Sequence, residues 1–166
     1  MGNAVSPAVV VAVLGRVYLK SAGMQAEKGF VQHGSVSVYR HSLQVAVMSV
    51  RIARLLAVAH ISVNLPSLVK GALLHDYFLY DWHIRDRSRK NHALYHADYA
   101  VSNAQRDFGL TERERNMIRS HMFPLSLEIP RYRESVILTV ADKLCATGET
   151  AAGLYRKVKN CPPFPG

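Results

Sequence analysis

Four histidines and two aspartates stand where helical patterns turn their side chains inward, in a chain of 166 residues that holds eight histidines in all. Imidazole and carboxylate groups together are good ligands for divalent transition metals. The six residues are His41, His75, Asp76, His96, His121 and Asp142. Because buried polar groups need partners, inward groups on separate helices predict a shared metal site.

The first of these residues lies on a helix predicted over residues 38–60. His41, Val45, Met48, Ile52, Leu55 and Ala59 recur there at three- and four-residue steps. Steps of that size place side chains on one helical face. We therefore expect His41 to point toward the core.

A second helix, predicted over residues 64–79, carries the next two candidates. Asn64 and Pro66 are typical of a helix start. The apolar face of this helix consists of Leu65, Leu68, Val69 and Ala72. His75 and Asp76 continue that face, and an unpartnered buried carboxylate is costly, so they must pair or bind a ligand.

Three further helices deliver the remaining candidates. One is predicted over residues 94–108, and the capping box Thr111–Glu114 starts the next, whose stripe includes Met117, Ile118 and His121. The last helix is predicted from residue 131 to 149 or beyond. It turns Ile137, Val140, Ala141 and Leu144 inward, with Asp142 beside them.

The pattern as a whole predicts an all-α, single-domain bundle of about six to seven helices. Residues 1–29 are predicted to hold an N-terminal helix, over residues 6–25, that packs on the core. Residues 30–155 form the metal-binding domain and 156–166 a tail. Residues 29–37 and 80–91 are expected to be loops, because they are rich in glycine or in charged residues.

The composition indicates which class of partner and which cellular location to expect. The net charge of +9 favours anionic partners, such as phosphorylated small molecules. The two cysteines form no CxxC motif, which is typical of free thiols in the cytoplasm. The apolar run at residues 8–14 is far shorter than a membrane span. We expect a cytoplasmic protein that does not contact a membrane.

The ordered set of motifs resembles the HD-domain superfamily pattern H…HD…D. The segments that carry the resemblance are Tyr-Arg-His-Ser-Leu-Gln-Val-Ala around His41, Gly-Ala-Leu-Leu-His-Asp ending at Asp76, and Val-Ala-Asp-Lys around Asp142. The resemblance spans roughly residues 30–150. It implies a helical, metal-dependent phosphohydrolase, a phosphomonoesterase or phosphodiesterase acting on a nucleotide or similar small molecule.

His96 and His121 extend the resemblance to the binuclear HD subgroup, which includes symmetrical diadenosine tetraphosphate hydrolases and HD-GYP phosphodiesterases. Carried over, His41, His75, Asp76 and Asp142 hold one ion. His96, His121 and a bridging Asp76 hold the second. One or two divalent ions are expected, with two favoured. Iron, manganese, magnesium, cobalt, nickel and zinc are not distinguished. Asp76 is the predicted catalytic residue, because it would orient the attacking water.

Substrate contacts are predicted at Arg40, Arg85, His92 and Lys143. Arg87, Arg89 and Lys90 in the same basic run are further candidates. His92 is also a rival to His96 as a ligand, because the two stand four residues apart. Leu79 occupies a place where many HD hydrolases carry a lysine or arginine. No Gly-Tyr-Pro sequence follows His121, which disfavours cyclic-di-GMP hydrolysis.

Three other hypotheses about the function stay open at this point. One is a metal- or nucleotide-sensing HD module without turnover, since a fold and its ligands do not guarantee activity. Another is a basic nucleic-acid-binding domain, which is disfavoured because aromatic residues do not interleave with the basic run. The third is an oxygen-using di-iron enzyme on the same scaffold. A homodimer is compatible with the sequence.

Overall fold

The computed structural model describes residues 5–33, 35–84 and 92–159 of the chain. The helices are α1 (Pro7–Leu14), α2 (Arg16–Leu19), α3 (Ala22–Ala26), α4 (Val38–Val58), α5 (Leu65–Leu74), α6 (His92–Phe108), α7 (Glu112–Ser120) and α8 (Arg133–Lys159). The predicted all-α class is confirmed. The described residues form eight helices instead of about six to seven.

The extra helices arise near the N-terminus, where one helix was predicted. Ser6 caps α1 and Pro7 occupies its first turn, as expected. The helix then ends at Gly15, and Ser21 caps a new helix by accepting a hydrogen bond from the Met24 amide. A second capping serine inside the segment therefore divides it. Helix α1 packs against α4 and α5.

A 3₁₀ turn (Glu27–Gly29) leads into a small antiparallel hairpin, β1 (Val31–His33) and β2 (Val36–Ser37). The expectation of a plain loop over residues 29–37 was wrong here. Strands of two or three residues are too short to give a recognisable alternation. The hairpin contacts α4 and α8, which brings Gln32 to the edge of the histidine cluster.

Helix α4 is the central helix of the fold, with α1, α5 and α8 packed around it. It is long and apolar enough to match a membrane-spanning helix by length and composition, but here it forms the core. Its buried face includes His41, as predicted. The C-terminal part of the predicted stripe was wrong, because Leu55 is 71% exposed and Ala53 faces the core.

Helices α5 and α7 pack on each other, and both pack against α8. Helix α5 ends at Leu74, five residues earlier than predicted, so His75 caps it and Asp76 lies in the turn beyond. The capping box of Thr111 and Glu114 is confirmed at the start of α7.

The buried amide of Asn116 joins α7 to α8. It donates to Glu128 and to the Ile129 carbonyl, and it accepts from the Arg131 amide and the Ser135 hydroxyl. Four hydrogen bonds on one buried side chain fix the two helices against each other. This contact fixes the relative position of the helices that carry His121 and Asp142.

Two of the four residues predicted to face inward on helix α8 are exposed in the structure. Ile137 and Ala141 are buried, whereas Val140 is 44% and Leu144 is 53% exposed. The buried positions continue through Asp142, so the helix is rotated relative to the stripe read from the apolar residues alone.

Candidate metal centre

Ends and first turns of helices bring the candidate ligands together. His41 lies in the first turn of α4, while His75 and His121 are the C-terminal caps of α5 and α7. His96 comes from the beginning of α6 and Asp142 from the middle of α8. Five helices and the turn after α5 therefore meet at one centre.

We call His41, His75 and Asp142 the inner group. The Nε2 atom of His41 lies 3.0 Å from Asp142 Oδ1, and the Nε2 atom of His75 lies 3.6 Å from the same oxygen. Both imidazoles are fully buried. One carboxylate oxygen of Asp76, Oδ2, faces this group at 3.3 Å from His75 Nε2 and 3.9 Å from His41 Nε2.

We call His96 and His121 the outer group. Their Nε2 atoms lie 3.0 Å apart, and each is 3.6 Å from the other Asp76 oxygen, Oδ1. His96, the histidine favoured over His92, is thus part of the cluster. All six predicted ligands come together, and Asp76 presents one oxygen to each group.

Two buried atoms at this centre have no hydrogen-bond partner within the described part of the chain. They are Nε2 of His75 and Oδ1 of Asp76. An unpartnered buried polar atom is costly unless something binds it. Both atoms point to a ligand between the two groups.

Backbone carbonyls accept hydrogen bonds from the Nδ1 atoms of two of these histidines. Nδ1 of His75 donates to the Ala72 carbonyl at 2.9 Å, and Nδ1 of His121 donates to the Ile118 carbonyl at 2.6 Å. A carbonyl can only accept, so Nδ1 carries the proton in both rings. When the ring is neutral, its Nε2 atom presents a lone pair to the centre, as a metal ligand requires.

Burial and the neighbouring charged groups shift the pKa values of the clustered residues. Burial lowers the pKa of His41, but its hydrogen bonds to Asp142 and Glu149 and the charge of Asp76 outweigh burial and raise the pKa to about 10. Burial lowers the pKa of His121 to about 4, so that ring is neutral. For Asp76, burial raises the pKa, but the surrounding imidazoles lower it to about 2.

The donor set and its spacing fit divalent metal ions. Ligands about 2.0–2.1 Å from one ion lie roughly 2.8–3.4 Å apart in octahedral or tetrahedral arrangements. The separations above are close to that range. Among the described residues, two triads have donor atoms close enough to hold an ion: His41, His75 and Asp142, and His75, Asp76 and His121.

A cavity of about 360 Å³ opens onto the cluster. Its wall includes Asp76, His96, His121 and Asp142, but neither His41 nor His75. The rest of the described lining is mostly apolar. It consists of Gln32, Trp82, Met122, Leu125, Lys143 and Ala146.

The predicted substrate contacts are placed differently from one another. Lys143 lines the cavity, and its ammonium donates to the carbonyls of His121 and Phe123. Arg40 instead lines a separate cavity of about 500 Å³ between α4 and α8, so its substrate role stays a prediction. Arg85, Arg87, Arg89 and Lys90 lie outside the described residues, as does the side chain of His92.

Three residues near the cluster were missed from the sequence. The Glu149 carboxylate accepts from His41 Nδ1 at 3.1 Å, and the Gln32 amide donates to Asp76 Oδ2 at 2.6 Å. Glu27 is fully buried, and desolvation, with the charge of Asp76, raises its pKa to about 9. Glu149 follows Asp142 by two helical turns, a spacing that could have revealed it.

The family model described as HD domain matches residues 38–147, well over half of the chain. No curated protein and no solved structure matches the chain. The matched segment contains all six clustered ligands, in the order and on the helices described above. The chain therefore belongs to the HD-domain family.

Proposed function

We propose that this protein is a binuclear metal-dependent phosphohydrolase that acts on a nucleotide or a similar phosphorylated small molecule. The HD domain indicates the superfamily of metal-dependent phosphohydrolases. The observation that supports the binuclear form is the split of Asp76, whose Oδ2 faces the inner group and whose Oδ1 faces the outer group. Such a split is what a carboxylate bridging two ions would show.

In this proposal, His41, His75, Asp142 and Asp76 hold one ion, and His96, His121 and Asp76 hold the other. Divalent ions supply Lewis acidity, which makes water nucleophilic near neutral pH and neutralises charge on phosphoryl oxygens. The outer group offers fewer protein donors and borders the cavity. It therefore leaves room for water and for a phosphoryl oxygen.

The side chains around the centre position the reactants. The low pKa of Asp76 keeps its carboxylate ionised, so it can hold the ions and orient a water molecule on the cavity side. The Gln32 amide holds Asp76 Oδ2 in place. Lys143, anchored at the cavity wall, brings a positive charge toward the phosphoryl group.

The shape of the cavity supports a substrate with a flat, apolar portion beside its phosphate. The Trp82 indole is fixed by donating from Nε1 to the Val31 carbonyl at 3.1 Å, and its ring borders the cavity with Met122 and Leu125. A base would stack on such a surface, whereas inorganic polyphosphate would gain nothing from it. These contacts favour a nucleotide.

A panel of nucleoside monophosphates, nucleoside triphosphates and dinucleoside polyphosphates, assayed with Mn²⁺ or Fe²⁺ for product release, tests the proposal. We expect metal-dependent hydrolysis of at least one class. Asp76→Asn should lower the rate by about 10³-fold or more, because several kcal/mol of charge stabilisation depend on the ions it holds. Asp98→Asn is the matched control, since Asp98 is exposed and pairs with Arg119.

A sensing module without turnover is the second candidate, and Leu79 favours it. Leu79 stands where many HD hydrolases carry a basic residue. Its side chain packs against an apolar cluster, so it supplies no charge to the site. Tight nucleotide binding by the metal-loaded protein, with no hydrolysis across the panel, would favour the sensor and contradict the hydrolase.

A further inference from the structure

We propose that Glu149 is a positioning residue that orients His41 and strengthens it as a metal ligand, an inference that rests on the proposed metal centre. Glu149 lies beyond the segment matched by the family model, which ends at residue 147. Its two carboxylate oxygens lie 3.1 and 3.2 Å from His41 Nδ1. Its side chain is only 7% exposed.

Helix α8 supplies this contact through its periodicity. Asp142 and Glu149 stand seven residues apart, which places them on the same face two turns from each other. The His41 ring lies between them, with Nε2 toward Asp142 and Nδ1 toward Glu149. Helix α8 therefore contacts both ring nitrogens of His41.

The same placement shows why Glu149 is not itself one of the ligands. The imidazole of His41 separates its carboxylate from the centre, where Nε2 of His41 meets Asp142 Oδ1 at 3.0 Å. With Nδ1–H donated to Glu149, the lone pair of Nε2 is left for an ion when the ring is neutral. This is the carboxylate–histidine–metal arrangement that fixes ring orientation and raises ligand basicity.

His41 differs in this respect from the two histidines that cap helices. His75 and His121 donate Nδ1–H to neutral backbone carbonyls. His41 donates to a charged acceptor, and charge-assisted hydrogen bonds are roughly twice as strong as neutral ones. A carboxylate behind the ring should therefore make His41 a stronger donor to the ion than a carbonyl would.

Titration of the metal-free protein with Mn²⁺ alone, with the free ion measured by electron paramagnetic resonance, tests the inference. Glu149→Ala should raise the dissociation constant of one ion by about 10- to 100-fold and leave the other ion unchanged. Glu149→Gln should show a smaller loss, about 3- to 10-fold, because its amide oxygen still accepts the hydrogen bond without the charge. Glu112→Ala and Glu112→Gln, at an exposed glutamate of α7, are the matched controls.

A role in folding alone predicts something different. In that case both Glu149 variants would lower the melting temperature of the metal-free protein while binding Mn²⁺ as the wild type does, and the inference would be overturned. If Glu149→Ala does not fold, the Gln variant decides, and wild-type affinity in it also overturns the inference. A wild-type protein that binds no Mn²⁺ overturns the proposed function as well, which separates the two failures.

Discussion

The imidazoles of the inner and outer groups differ in whether they border the cavity and in which carboxylate oxygens they face. His41 and His75 do not line the cavity, and the carboxylates of Asp76 and Asp142 lie beside both rings. His96 and His121 line the cavity and share one oxygen of Asp76. In the proposed binuclear centre, an ion in the outer group would therefore border the cavity, whereas an ion in the inner group would lie behind Asp76 and Asp142.

The chain segments behind the two groups also differ. The inner group comes from α4, α5 and α8, which pack against one another in the core. The outer group comes from α6 and α7, and α6 contacts the other helices mainly through α7. Variants in the inner group should therefore cause larger losses of metal and activity than variants in the outer group.

Removing an inner imidazole should have the largest effect. His75→Asn should abolish tight binding at the inner group and reduce hydrolysis by about 10³-fold or more, because the shared Asp76 loses its partner on that side. Metal content by mass spectrometry and the rate of phosphate release measure this. His60→Asn, at an exposed histidine with positive φ, is the control. Two ions retained in His75→Asn would contradict the assignment.

Removing an outer imidazole should cost less. His96→Asn should lower the bound metal from two ions to one per chain and the rate by about 10²-fold, because one of the two charges at the phosphoryl group is lost. The same two measurements apply, together with the affinity for the remaining ion. An equal loss of both ions would show that the two groups do not bind independently.

The pH dependence should distinguish the groups without any mutation. In the metal-free fold His41 has a pKa of about 10, above its ordinary 6.5, so its protonated form stabilises the fold fully below pH 6.5 and loses that effect as the pH rises through 10. An inner ion must displace this proton, so its affinity should increase between pH 7 and 9. His121, with a pKa of about 4, is already neutral in that range, so an ion at its Nε2 atom would displace no proton.

Calorimetry in buffers of different ionisation enthalpy would count the protons released on metal binding. We expect at least one proton at pH 7.5 for the tighter ion. The His96→Asn variant isolates that ion, so the same release should appear with it. A pH-independent affinity for the inner ion would contradict the assigned charge of His41.

The smallest effect should come from the hydrogen bond that holds Asp76 from outside the cluster. Gln32→Ala removes the donor to Asp76 Oδ2 and should slow hydrolysis by roughly 3- to 10-fold while both ions stay bound, because one hydrogen bond contributes about 0.5–1.5 kcal/mol net and about 1.4 kcal/mol is tenfold in rate. Gln44→Ala on the exposed face of α4 is the control. A loss of metal in Gln32→Ala would show a larger role than orientation.

Much of this arrangement was predictable because the ligands follow helical periodicity. His41, the doublet of His75 and Asp76, and Asp142 each lie on or next to an apolar stripe, and the capping signals at Ser6, Asn64 and Thr111 mark real helix starts. These are local signals, set by residues three or four apart.

The failures have a different physical origin. Gln32 reaches Asp76 across 44 residues from a two-stranded hairpin, and no local pattern encodes that contact. The face of α8 that is buried, which leaves Val140 and Leu144 exposed, combines apolar packing with polar contacts to Asn116 and His41 from other helices. Tertiary contacts of this kind override the apolar pattern of a single helix.

Helix α6 is attached to the doublet at a second point besides His96. The Asn103 side chain donates hydrogen bonds to the carbonyls of Tyr77 and Phe78, immediately after Asp76. His96 and Asn103 stand two turns apart on the same helix, so any opening of α6 withdraws an imidazole and releases the turn that carries the shared carboxylate. Loading the protein with ions should therefore slow amide hydrogen exchange in α6 and in the 77–78 turn together.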